Sequence, residues 1–147
     1  MTTISKAQQR AAEETNRTKQ RLETERRKHR AVIDRLIQET GWAVCVADSD
    51  DPADPAPHFG YTIGRTLRGQ PELCAWGHNR EDIQTLLNLM GGVLERENKT
   101  VAPGDQLTIP GLGSWVAVHV PAEVFGHMQY AKERYTFLRA VRITRVA

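Results

Sequence analysis

The chain has 147 residues, 39 % apolar and 26 % charged, with a net charge of +2, enough for one modest core and an appendage. Its longest apolar runs, Trp42–Ala47 and Trp115–Val118, are far too short to span a bilayer. The first residues lack the apolar segment of a signal peptide, so a cytoplasmic protein without membrane association is expected.

Charge is unevenly placed. Residues 1–39 hold ten Lys/Arg against six Asp/Glu, a balance of +4, and residues 40–147 hold ten against twelve, a balance of −2. From Ser5 to Glu39 there is neither Pro nor Gly, which predicts one long helix with Ser5 as N-cap and a stop before Gly41. Leu22 is the only sizeable apolar side chain from Glu13 to Arg30. That middle stretch therefore has no face to bury, while Val32, Ile33, Leu36 and Ile37 form a stripe able to dock. The chain divides into a charged helical extension, 1–39, and an α+β domain, 40–147.

Trp42–Val46 reads as a strand, followed by an acidic loop, Asp48–Pro57, with three prolines and four aspartates. His58–Arg65 and Glu72–Trp76 are strands joined by a turn over Thr66–Pro71. Arg80 to about Glu97 is a helix capped by His78 or Asn79, with Ile83, Leu86, Leu87, Met90, Val93 and Leu94 at helical spacing. Its Gly91-Gly92 pair marks a kink or close packing. Strands follow at Gln106–Ile109 and Trp115–Val120, then a helix from Pro121 to about Tyr135 and a last strand, Phe137–Val146. The expected fold class is α+β: one mixed or mainly antiparallel sheet packed with two helices on one side, preceded by the long charged helix.

The runs Gly41-Trp42-Ala43-Val44, Phe59-Gly60-Tyr61-Thr62-Ile63-Gly64, Pro71-Glu72-Leu73 and Leu86-Leu87-Asn88 resemble a bacterial family, domain of unknown function 4262, over roughly residues 40–140. Arg65 stands where members usually carry an aliphatic residue, and the closing Trp-Pro step of many members is absent. The resemblance implies a fold and carries no activity with it.

Three sets of residues are candidates for chemistry. His58, Tyr61, Arg65 and Glu72 would bind a polar ligand if they converge at a strand end. In the structural alternative, Tyr61 packs in the core, Gly64 permits a bulge, and Glu72 ties down a loop with Arg65 or Arg68 as partner. Arg26, Arg27, Lys28 and Arg30 form a cationic patch able to touch phosphates, although Glu23, Glu25 and Asp34 flank it. Among the five histidines, only His119 and His127, with Glu123 between them, are candidates to meet across elements, and no metal site or cofactor is expected. Cys45 and Cys74 sit in apolar strands, where thiols are reduced and inert. Neither a hydrolase elbow nor a phosphate loop is present, so the balance leans away from an enzyme.

The expected function is accordingly a non-catalytic interaction or regulatory module that binds a protein or small ligand. Its partner is a protein or a second copy, reached through residues 5–39. One alternative is a nucleic-acid-associated protein using the basic helix. The other is a small enzyme or nucleotide-type ligand binder with a pocket near Tyr61 and Glu72.

Overall fold

The computed structural model describes residues 5–146 and has the expected α+β class. Ser5 opens α1 (Lys6–Thr40) with a reciprocal cap: its Oγ accepts from Gln8 N at 3.2 Å while its own N–H donates to Gln8 Oε1 at 2.9 Å. Gly41 closes the helix in the left-handed region, φ 97°, with its N–H on Ile37 O at 2.9 Å. At 1.5 Å per residue α1 is about 52 Å long. Only its end packs, because Ile33 is its one buried residue.

The remaining elements are β1 (Ala43–Asp48), β2 (His58–Ile63), β3 (Glu72–Trp76), α2 (Arg80–Arg96), β4 (Gln106–Ile109), β5 (Gly113–His119), α3 (Gln129–Arg134) and β6 (Ala140–Arg145). They build one six-stranded sheet in the order β1-β2-β3-β6-β5-β4. Only the β3–β6 pair is parallel, with Glu72 opposite Ala140; the other four pairs are antiparallel. None of the described helices is long and apolar enough to cross a membrane.

Helices cover both faces of β1–β3, contrary to the one-sided arrangement expected. These strands are apolar on both faces. Val44, Val46, Leu73 and Ala75 meet α2 through Ile83, Leu86, Leu87 and Met90. Ala43, Cys45, Phe59, Tyr61, Ile63 and Cys74 meet Ile33, Leu36, Ile37, Met128 and Ala131 on the other side. Burying both sets requires two layers.

The single helix expected over Pro121–Tyr135 is also corrected. A 3-10 turn, Ala122–His127, and α3 are separated at Met128, whose φ −103° and ψ 50° are not helical. Gly126 is a poor helix former, and the break drops Met128 fully into the core. The last strand begins at Ala140 rather than Phe137, since β3 offers partners only from Glu72 onward.

Two close approaches explain glycines in the motifs. A Cβ on Gly60 would collide with Ile83 Cγ2, so α2 lies directly on β2, and one on Gly91 would stand 2.9 Å from the Trp42 ring. Of the Gly91-Gly92 pair, Gly91 thus serves close packing, while Gly92 faces open space. Cys45 and Cys74 face Tyr61 from opposite sides. With strands about 4.8 Å apart their Cα atoms are about 10 Å apart, outside disulfide range, and both are free.

Candidate functional site

Glu72 is fully buried where β2 and β3 diverge beyond the Tyr61–Cys74 pair. Thr62 Oγ1 (2.8 Å) and Arg65 N (3.2 Å) donate to its Oε1; Thr66 N (2.7 Å) and Thr66 Oγ1 (2.5 Å) donate to its Oε2. Burial pushes this carboxyl's pKa up, and the four donors pull it back. The Thr62 hydroxyl in turn accepts from Leu73 N at 2.8 Å. Arg65, 3 % exposed, donates its Nε to Pro71 O at 3.1 Å, while its Nη2 has no partner; the residue also lines a 90 Å³ cavity with Arg68, Gln70 and Lys99. Burial lowers the Arg65 pKa, and the charge of Glu72 counters it.

Of the four residues expected to converge, the fold brings together only Arg65 and Glu72. His58 lies at the opposite end of β2, its Nδ1 2.8 Å from Asp48 Oδ1. Tyr61 points into the core under α3; it is 2 % exposed, and its hydroxyl accepts from Tyr130 N at 3.3 Å. Gly64 makes no bulge: at φ 119° it ends β2 and starts the Arg65–Arg68 3-10 turn.

The cationic patch is divided as well. Arg30 is held by Glu133 through Nε (3.1 Å) and Nη2 (3.0 Å), which depresses the Glu133 carboxyl below its ordinary pKa. Asp34 pairs with Arg134, and His29 Nδ1 lies 3.5 Å from Tyr130 Oη. Arg26 lies on the side of α1 that approaches Glu133. Arg27 and Lys28, 100° to 200° further round a helix of 3.6 residues per turn, have no ion-pair partner among the described residues.

A cleft of about 320 Å³ opens between the Asp48–Pro57 loop and the 122–127 turn. Phe59 and Trp76, opposite each other on β2 and β3, stack with centroids 5.6 Å apart and planes at 23°. The His127 ring lies 5.5 Å from Phe59. Ala47, Pro57 and Val124 complete the apolar wall, and Asp48, Ser49 and Asp54 form the rim. Asp48 is bound on one oxygen by His58 and on both by Arg80 Nη1 at 2.9 Å; the His58 hydrogen bond, then the Arg80 charge, hold its pKa below the ordinary range.

A family model described as Domain of unknown function (DUF4262) matches residues 36–144. The chain belongs to this family. No curated protein and no solved structure matches it. The DUF4262 match begins inside α1 and takes in Leu36 and Ile37, which pack on the second core, while the exposed part of the helix lies outside it. The motif residues of the DUF4262 domain have structural tasks throughout. Phe59, Tyr61 and Ile63 line the second core, Gly60 admits α2, Thr62 and Glu72 tie the strand ends, and Gly64 clears the Gly41 carbonyl. Sequence reading missed Asp54, Phe59, Trp76 and His127 as a group. The acidic loop beside an aromatic strand was the available signal; His127 had none, because its place depends on how the 122–127 turn folds back. Among the described residues no three His, Cys, Asp or Glu side chains assemble into a metal-binding group.

Proposed function

We propose that this chain is an interaction module in which the domain binds a protein or small ligand and α1 is an arm for self-association. One observation carries the reading: the last turns of α1 are fixed to the domain, yet residues 5–25 are all exposed and bury no face. Ile33, Leu36 and Ile37 pack, and Arg30–Glu133 and Asp34–Arg134 brace the junction, so the arm is held at a set angle. An isolated helix that buries nothing gains little from folding. A second helix laid along it would supply the missing contacts.

The surface for that contact is a shallow strip lined by Ala11, Thr15, Thr18 and Leu22 and bordered by the charged Glu14 and Lys19. Leu22 is 46 % exposed and is the largest apolar group on the free stretch. Small residues let two backbones approach, and one Leu gives a weak, short seam. Two free thiols, Cys74 buried and Cys45 half-buried, suit the cytoplasmic setting we propose.

Light scattering across a concentration series tests this. The full chain is expected to give a multiple of the 16.6 kDa monomer mass, and Leu22→Glu or a chain beginning at Glu25 to give the monomer. A monomer at every concentration for the full chain overturns the assembly role.

A further inference from the structure

The cleft beside the Asp48–Pro57 loop combines three features rarely found together by accident. The first is charge: the loop has four aspartates and no Lys or Arg. Asp48 is paired with Arg80 and hydrogen-bonded to His58, but Asp54, half-buried on the rim, has no ion-pair partner among the described residues. The N–H of Ala56, donating to Asp54 Oδ1 at 2.9 Å, holds its carboxyl below the ordinary range and therefore ionised.

The second is rigidity. Ser49 N donates to Pro57 O at 2.6 Å, Asp54 N to Asp51 O at 3.1 Å, and Ala53 N to Asp51 Oδ1 at 2.9 Å. Pro52, Pro55 and Pro57 each fix a φ angle. The carboxylate is thus presented by a loop already ordered, which lowers the entropic cost of binding.

The third is the wall. Phe59, Trp76 and His127 line it; Arg142 Cζ, 3.6 Å from the Trp76 ring centroid, occupies one face of that ring, which shows the stacking the ring supports and leaves Phe59 as the ring open to a ligand. Flat aromatic faces and a fixed carboxylate are what a guanidinium uses, through stacking and paired N–H donation.

We propose that this cleft binds a guanidinium group, brought either by a small organic cation or by the arginine side chain of a peptide. The group lies against Phe59, beside the part of Trp76 that lines the cleft, and donates to Asp54. The assignment rests on the reading of the domain as a binding unit and is independent of the α1 arm.

The test uses the full chain and the indole N–H signals of its three tryptophans in heteronuclear NMR. The probes are N-acetylarginine amide, its neutral isostere N-acetylcitrulline amide, ethylguanidine and the tripeptide Ala-Arg-Ala. Arginine amide is expected to shift the Trp76 signal and the amides of residues 49–56 saturably, leaving Trp42 and Trp115 in place. The citrulline probe should bind at least tenfold more weakly. Asp54→Asn, which keeps an oxygen to accept from Ala56 N and so keeps the loop, should also weaken arginine binding at least tenfold. Ethylguanidine binding within threefold of Ala-Arg-Ala marks a small cation as the ligand, and a tenfold preference for the tripeptide marks a peptide; both support the assignment. Equal binding of arginine and citrulline probes, or an unchanged Asp54→Asn, overturns the cationic assignment and leaves the domain standing as a binding unit. No saturable shift with any probe overturns the cleft as its binding face.

Discussion

Glu72 shows how a motif residue that looks catalytic becomes structural once its neighbours are known. Both of its oxygens are occupied by donors from Thr62, Arg65 and Thr66, so no lone pair faces a substrate. Truncation leaves two N–H groups and two hydroxyls without their acceptor, and Glu72→Ala is expected to lower unfolding free energy by about 3 kcal/mol, read by urea denaturation. Glu72→Gln, which accepts with one oxygen only, should lie between the two. The glycines give a second comparison. Gly64 has φ 119° and a Cβ there would stand 2.6 Å from Gly41 O, whereas Gly69, at φ 72°, faces open space. Gly69→Ala should cost about 1 kcal/mol from the left-handed backbone alone, and Gly64→Ala distinctly more; equal midpoints in denaturant would refute the clash. The residue types at 60–64 and 71–73 were legible as a motif in the sequence, but their roles were not. A strand pattern does not say which neighbour a carboxylate will meet.

Among the elements, α1 was legible almost to the residue. Its ends are set by local chemistry, the Ser5 cap and the Gly41 stop, and its docking stripe lies on one helical face. Holding it in place depends on contacts from a distant element. The Glu133 carboxyl, depressed by Arg30, binds its proton less tightly folded than unfolded. Its contribution is therefore present above the ordinary carboxylate pKa, about 4.3, and is lost as pH falls through the lower folded value. Protection factors of the amides at residues 29–37, taken against the intrinsic exchange rate at each pH, should fall at about pH 3 relative to pH 7, and Glu133→Gln should bring that loss of protection to neutral pH. Ile33→Ala removes the one fully packed side chain of α1 and is expected to cost about 2 kcal/mol, with the same exchange signature and the sheet amides protected. The Pro121–Tyr135 segment was the least legible. Its apolar spacing satisfied a helix, and only the core's demand for Met128 revealed the break.

For the whole molecule, the two-layer burial of β1–β3 governs how the thiols behave. Burial pushes Cys45 up to about 11 and Cys74 up to about 12, so almost no thiolate exists at pH 8. Ellman's reagent should therefore label neither promptly in the native state and both in denaturant, with Cys74 following global unfolding; prompt native labelling of Cys74 would contradict its burial. The sequence by itself determined the α+β class, the six strands, α1 and α2, because caps, periodicity and turn residues act over a few neighbours, and its motif runs carried the family resemblance. Tertiary structure alone decided the strand order with its parallel β3–β6 pair and the helices on both faces. It also separated His58 and Tyr61 from Glu72 and brought Asp54, Phe59, Trp76 and His127 to one cleft. Those outcomes depend on which distant segments pair and in what register, and the free energy that selects among pairings comes from burying two faces at once.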